Sequence, residues 1–384
     1  DQYHHFIPRF ILRYFQLGPA KTKAERRRDF RRTGSDPESV FYYDVATSTL
    51  EIRPIGKVYG VENLYRDVRS TENVNELEGK LSILEREAAS VIKDLHAVLH
   101  SGTFRIKRRP LETLRKFLFI MHYRQSLLSS VYFQEDHPHN AQGRQWLEHF
   151  KTAKGLQSSL DVWLYMLRYY LDNSHSELML RAAALVDKRR VWECLTDPRL
   201  PEAEDFPAIT YQSLAGGFFM CIWEAADGEE FVLTYNGFGL WEGRTGHEGI
   251  YIDGAFCIHR LFPLSPRVVL VLRTVALRPE NSDMVRGPML SNLLNIVQDP
   301  PVTTYRSGIS SLDSNGTVSD MEKYRTSKQA DEDLFTFKIT KLSKSQTMAV
   351  NTVFLQNVRK DTALTFLSED CMLRTAREFC KQPV

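Results

Sequence analysis

The 384-residue sequence has no apolar run near the roughly 18 residues that a membrane-spanning helix needs, so no span is expected. It has only five cysteines (Cys194, Cys221, Cys257, Cys371 and Cys380), an odd number with no CxxC pair. That argues against a disulfide framework and against a zinc site, and it fits a reducing, cytoplasmic setting. A charged-then-apolar leader with a cleavage site is missing, so nothing points to secretion. The absent initiator Met is what a trimmed chain would show. There is no P-loop, no GxSxG, no HExxH and no GxGxxG ahead of a helix, which removes the common ATP, serine-hydrolase, zinc-protease and dinucleotide signatures. Internal repeats and low-complexity tracts are lacking as well.

What is present is an ordinary globular composition, 42% hydrophobic and 26% charged, enough for a core without staples. The net charge of +2 conceals a separation of sign. Lys21 to Arg32 holds seven bases against Glu25 and Asp29, and Arg105 to Lys116 holds six against Glu112. Leu200 to Ile258 reverses this, with ten acids and one base, Arg244. Gathered on one face, the basic segments would attract a polyanion; scattered, they are two solvated loops.

The hydrophobic period divides the chain. Asn75 to Leu99 carries a helical stripe of Leu77, Leu81, Leu84, Ala88, Val91, Ile92, Leu95 and Leu99. Pro110 suits the first position of a second helix, whose stripe is Leu114, Leu118, Met121 and Leu128 with Gln125 inside it. Residues 143–155, 157–173 and 176–195 predict three more. Residues 21–38 read as a basic loop, and 40–43 with 50–52 as a small hairpin. After Pro201 the period shortens: 217–224 and 230–235 predict a hairpin across Asp227-Gly228, with further strands at 250–252, 268–272 and 334–339. Residues 280–300 read as a helix, 307–331 as a mobile loop, and 345–358 and 368–381 as closing helices, the last capped by Ser368. The expected class is α+β: a mainly helical region over 1–200, a mostly antiparallel sheet with helices over 201–384, or one continuous domain.

Four clusters carry possible chemistry. His4-His5-Phe6-Ile7-Pro8-Arg9-Phe10 offers a general base near neutral pH, or else an aromatic N-terminal anchor. Adjacent histidines with no third ligand make a poor metal site, and none is expected. His122-Tyr123-Arg124-Gln125 puts polar groups in an apolar helix: a substrate site, or an ion pair of Arg124 with Glu78 or Glu85. Leu233-Thr234-Tyr235-Asn236-Gly237-Phe238-Gly239 is a strand running into a glycine turn that could serve an oxyanion, or a turn and nothing more. Cys257 to Arg267 holds His259 and Ser265 near two prolines; they could cooperate only if the fold brings them together.

Taken in order, HHFIPRFILRYF, MHYRQ, FVLTYNGFG, HRLFPLSPRVVLVL and Asn351 in AVNTVFLQN resemble one family, long labelled only as a domain of unknown function. The chain is similar to its fungal branch, arginine-containing cyclodipeptide synthases, over His4 to about Asn357. The resemblance implies an enzyme that joins arginine from arginyl-tRNA to a second tRNA-borne amino acid as a diketopiperazine. Aminoacyl-tRNAs would be its partners, with no cofactor, since the ester is already activated. Bacterial cyclodipeptide synthases share no visible motif, so their catalytic residues do not transfer. Within the implied chemistry, His4, His5, His122 or His259 could be the base, and Arg124, Tyr235 or Asn236 an oxyanion donor. Glu224, Glu242 and Asp253 are candidates for the substrate guanidinium, with Gln125 and Ser265 as further substrate contacts. Arg26, Arg27, Arg28, Arg31, Arg32, Lys107, Arg108 and Arg109 would hold tRNA phosphates. Two rival classes stand: an RNA-binding or RNA-cleaving protein using the same histidines and bases, and a non-catalytic interaction module.

Overall fold

The computed structural model describes residues 3–34, 37–65, 73–125, 144–185, 188–197, 199–200, 203, 205–245, 257–278, 289–305 and 318–381. The stripe that begins at Leu77 forms a helix over Glu76–Ala97, with Leu77, Leu81, Leu84, Ala88, Ile92 and Leu95 buried. The next helix spans Arg108–Tyr123, and Pro110 sits in its first turn, where a missing N–H costs no intrahelical bond. These two helices pack with Ser159–Asp172, His175–Ala184 and Phe206–Ala215 into a helical layer.

That layer covers one face of the main sheet. Its centre is β1 (Phe218–Glu224), β2 (Cys257–Pro263) and β3 (Val268–Thr274), antiparallel in the order β2-β3-β1. The strand Leu334–Lys341 then pairs parallel to β1 and antiparallel to Val302–Thr304 and Thr103–Lys107. Alternation along β1 and β3 feeds two cores. Met220, Ile222, Leu270 and Leu272 join the helical side, while Phe219, Cys221, Trp223, Val269 and Val271 pack on the other side with Val350, Val353 and Phe354. The first core runs from Phe6 to Ile339 and takes residues from the helical region and the sheet alike. The architecture is α+β, as its sequence pattern predicts.

Four expectations fail, each for a traceable reason. Residues 21–38 are not a loop throughout: Lys23–Thr33 is a helix, started by a reciprocal Thr22–Glu25 capping box, with no buried residue to announce it. The hairpin across Asp227-Gly228 does not form. Val232 N–H donates to the Asn351 side chain, Phe231 N–H donates to Pro266 O, and Leu233–Thr234 joins a separate sheet beside Ala363–Thr365. The part of 280–300 that is described is not helical. Met289–Leu290 pairs with Arg244–Thr245, and Glu242 captures the Asn292 N–H. Within 307–331, residues Val318–Thr326 are a helix whose last carbonyls receive Arg109, at Arg325 O and beyond it Ser327 O. The strand at 250–252 and the stripe residue Leu128 lie outside the described residues.

Candidate functional site

The C-terminal end of the Arg108–Tyr123 helix is where the motifs meet. Arg124, its C-cap, is 1% exposed, and a cation there complements the helix dipole. Its Nη1 donates to Glu85 Oε1 at 2.6 Å, and its Nη2 donates to the carbonyls of His5 and Phe6, each at 3.1 Å. Of the two glutamates within reach in sequence, the fold thus selects Glu85. Phe6 in turn packs on Tyr235 with the rings tilted, centroids 4.6 Å apart, so the first, second and third motifs share one contact chain. His122, two residues before Arg124, faces Gly239 of the third motif and accepts from Arg260 Nη1 of the fourth at 3.3 Å. Asn351 completes the set: its amide accepts from Val232 N–H and donates to Glu230 O, fixing the segment that leads to Tyr235.

The backbone beneath the first motif is strained. Tyr59 is buried with φ of +54°, a conformation that costs a bulky residue about 1–3 kcal/mol. Its carbonyl accepts from both Phe6 and Ile7 N–H, and its hydroxyl donates to Thr365 Oγ1 at 2.7 Å, which together hold it there.

Several polar atoms at this centre have no partner among the described residues: His4 Nε2, the Tyr65 hydroxyl, Arg124 Nε and Gln125 Nε2. His4 and Tyr65 rings lie 5.2 Å apart, and the Arg124 guanidinium lies 5.3 Å over the Tyr65 ring. Tyr65 N–H donates to His4 Nδ1 at 3.0 Å, so the imidazole proton sits on Nε2. Burial and the charge of Arg124 hold His4 below the ordinary histidine range, keeping it neutral. This removes His4 from the base role expected of it: its lone pair is already used, and what it presents is an N–H donor. Glu78 lies two helical turns before Glu85, and burial raises its carboxyl against the pull of Arg124. No ion pair holds Glu78 among the described residues, whereas Glu85 is bound by Arg124.

The other sequence candidates divide between this centre and elsewhere. His5 lies within it; its Nε2 donates to Ile55 O at 3.1 Å, which leaves the lone pair on Nδ1. His122 belongs to it too, but its Nε2 faces Arg260, and burial with that charge pushes it down to about 3. Tyr235 is partly buried against Phe6 and Tyr59, its hydroxyl pushed up to about 12 by burial. Asn236 donates to Asn357 O at 2.9 Å, with its Oδ1 buried.

His259 sits on the opposite face of the sheet from Arg260, beside Trp223, and its Nδ1 meets Glu242 Oε2 at 2.8 Å. Glu242 also accepts from the Ser291 hydroxyl and Asn292 N–H, so it is occupied rather than open to a substrate guanidinium. Ser265 is not brought to His259. Its hydroxyl meets His96 Nε2 at 2.8 Å, because His96 Nδ1 is turned to Ile92 O, and Ser265 Oγ accepts two backbone N–H groups. Those bonds fix the turn, and with Nδ1 donating to Ile92 O, His96 Nε2 accepts from the Ser265 hydroxyl. Sequence reasoning had no means to find His96, 169 residues away and exposed to no motif. Glu224 is paired with Arg267 at 2.7 Å, and Asp253 lies outside the described residues.

The basic segments also separate. On the Lys23–Thr33 helix Arg27, Arg28, Arg31 and Arg32 are exposed, while Arg26 pairs with Glu38. Lys107, Arg108 and Arg109 are instead committed to Glu332, Asp333 and Asp331 in turn. They brace the fold where a free phosphate-binding surface was expected.

Among the described residues no group of three His, Cys, Asp or Glu side chains could hold a metal ion. No helix among them is long and apolar enough to cross a membrane. No curated protein and no solved structure matches the chain. One family model matches over residues 3–363, nearly the full length, and it spans all five motifs. The chain therefore belongs to the family described as protein of unknown function (DUF4238).

Proposed function

We propose that this protein is a tRNA-dependent cyclodipeptide synthase that joins arginine, delivered as arginyl-tRNA, to a second tRNA-borne amino acid. The observation that carries the reading is the donor set at Arg124. Arg124 Nε, His4 Nε2–H and the Tyr65 hydroxyl are buried together with no acceptor among the described residues, beside a carboxylate, Glu78, that no ion pair holds among those residues. Acyl transfer from an ester needs donors where an oxyanion develops, worth about 3–4 kcal/mol each, and a group to take the amine proton. In this reading Glu78 holds the α-ammonium of one aminoacyl-tRNA and removes its proton. The freed amine attacks the ester carbonyl of the other, and the donor set receives the oxyanion. Collapse expels the first tRNA through its 3′-terminal ribose oxygen. The remaining amine then attacks the second ester, closing the ring and releasing the second tRNA.

The exposed arginines of the Lys23–Thr33 helix supply a surface for the tRNA backbone. They would equally serve plain RNA binding, the rival reading, which yields no amino-acid product. The test is reconstitution with tRNA, a pool of synthetases, ATP for charging and all amino acids, read by mass spectrometry. The expected product is a cyclic dipeptide containing arginine, abolished by RNase. Glu78→Gln should cut its rate by about 10²–10⁴-fold, the usual contribution of a positioned acid or base, and leave the unfolding midpoint within error. Intact charged tRNA with no cyclic product would remove the synthase reading.

A further inference from the structure

A cavity of about 500 Å³ lies between the helices Glu76–Ala97 and Arg108–Tyr123 and the start of the helix His175–Ala184. No residue of the Arg124 centre lines it. Lys116 stands in its wall, half-buried, one turn after Glu112 on the same helix. Its Nζ donates to Leu171 O at 2.9 Å and to Asn173 O at 2.6 Å, carbonyls left over at the end of the helix Ser159–Asp172. No carboxylate pairs with Lys116 among the described residues. The acids of the neighbouring elements are spent elsewhere: Asp172 on Lys80, Glu177 in the capping box with Ser174, and Glu112 on Arg109 and Ser176. The one other acid on the wall, Glu87, is exposed to solvent. Burial outweighs the pull of Asp172, Glu177 and Glu87 and pushes the Lys116 ammonium down to about 8.

An ammonium carries three N–H donors and a neutral amine two. The two carbonyls match the neutral amine: both of its N–H groups are spent on them, and its lone pair meets no donor among the described residues. A primary amine with a free lone pair beside a cavity is a nucleophile for carbonyl carbon. At a value of about 8, about a quarter of Lys116 is neutral at pH 7.5, against about 0.1% for a lysine at the ordinary 10.4. The volume admits a small molecule. The wall near Lys116 offers the hydroxyls of Thr113 and Ser174, and no aromatic side chain but the His175 imidazole stands among the lining residues. A hydroxylated aliphatic electrophile fits that lining, whereas a flat aromatic one finds no phenyl, phenol or indole ring to stack on.

We infer that Lys116 is a nucleophilic amine that forms an imine with a small hydroxylated aldehyde in this cavity. The Nζ lone pair bonds to the aldehyde carbon, and the carbonyl π pair moves to oxygen, which takes the proton that nitrogen loses. The carbinolamine then loses water. Its C–O bond breaks, the oxygen leaves with its own proton and one from solvent, and the nitrogen pair closes C=N with one N–H retained. No oxidant or reductant is consumed. The retained N–H keeps one of the two carbonyls, and the other, at a partly exposed helix end, turns to water. The inference rests on the cavity and Lys116, not on the synthase reading.

The experiment treats the whole protein at pH 7.5 with limiting glyceraldehyde, or with benzaldehyde, in the presence of cyanoborohydride. The added hydride fixes each imine as a secondary amine, and peptide mass spectrometry measures the label at every lysine. The excess of free amine, reduced by the weaker nucleophilicity of a less basic nitrogen, should put glyceraldehyde labelling of Lys116 about tenfold or more ahead of exposed Lys93. Benzaldehyde should show a clearly smaller preference. Lys116→Arg, which retains donors for both carbonyls, should remove that label and leave the unfolding midpoint within error. Ile83→Trp, a half-exposed position on the cavity wall, should slow labelling of Lys116 severalfold and leave Lys93 unchanged. If Lys116→Arg does not fold, Ile83→Trp decides. Lys116 labelled no faster than Lys93, an equal preference with benzaldehyde, or labelling indifferent to Ile83→Trp would each overturn the inference. No aminoacyl-tRNA enters this assay, so its failure leaves the synthase reading standing, and failure of the cyclisation assay leaves Lys116 standing.

Discussion

Replacing Gly239 by Ala probes the contact between the third motif and the second. Gly239 has φ of +78°, and a Cβ there would lie 2.5 Å from His122 Nδ1 and 2.8 Å from His122 Cβ and Cγ. The left-handed backbone alone costs an alanine about 1–2 kcal/mol. The collision adds more, because the atoms met are at the root of the ring, and His122 Nε2 is already against Arg260. Overpacking of this kind costs about 1–3 kcal/mol. Gly228 is a built-in control. Its φ is +74°, but nothing lies within 4 Å of its missing Cβ. Gly228→Ala carries the backbone penalty and the same unfolded-state entropy change, without the collision. Urea unfolding followed by tryptophan fluorescence should therefore place Gly239→Ala about 1–3 kcal/mol below Gly228→Ala. His122→Ala in the Gly239→Ala background should recover part of that difference, a non-additive pair. Equal losses for the two glycine variants would refute the packing of FVLTYNGFG on MHYRQ.

Other consequences are equally direct. Glu85→Gln should destabilise by about 2–3 kcal/mol, less than the 3–5 typical of a broken buried pair, because Glu85 is a quarter exposed and Arg124 keeps two carbonyl acceptors. A double-mutant cycle with Arg124→Met should show clear coupling, and additivity would remove the pair from the account of the site. Asn351→Ala should cost about 2–4 kcal/mol in chemical unfolding, since it removes the partner of Val232 N–H and of Glu230 O. Stability should rise with pH between about 4 and 6.5. His122 stays neutral in the folded state down to about 3, while an unfolded histidine takes a proton near 6.5, so the unfolded chain binds more protons in that window. His4, His96, His175 and His259 are shifted the same way, and the raised carboxyls of Glu78, Glu85 and Glu230 act oppositely. His122→Gln should flatten the slope by up to about 1.4 kcal/mol per pH unit, and an unchanged slope in unfolding titrations would contradict its neutral burial.

Much of the fold was legible wherever one element buries a continuous face. The Leu77–Leu95 stripe gave the longest helix to within two residues, and Ser368 caps the last helix through the Cys371 N–H as its sequence position implies. The Lys23–Thr33 helix was not legible from periodicity, because it buries nothing and is signalled only by Thr22 and Glu25. The Asp227-Gly228 turn exists, but what its flanks pair with is decided by Asn351 and Pro266, distant in sequence. The same limit governs the site. Sequence marked Arg124 and Gln125 as polar intruders on an apolar helix and named Glu78 and Glu85 as partners. Only the fold tells which glutamate pairs and which remains open. It likewise separates His259 from Ser265, giving each a local partner, Glu242 and His96. The tautomer of His4 follows from Tyr65 N–H, a contact across 61 residues that no motif encodes.

The most direct test of the proposed activity uses purified arginyl-tRNA charged in advance with labelled arginine, mixed with a second pre-charged aminoacyl-tRNA and the protein, with no ATP and no synthetase. The expected result is transfer of the label into a cyclic dipeptide at the rate at which both tRNAs are discharged, lost in Glu78→Gln. Label that stays on tRNA, or that leaves only as free arginine, would contradict it.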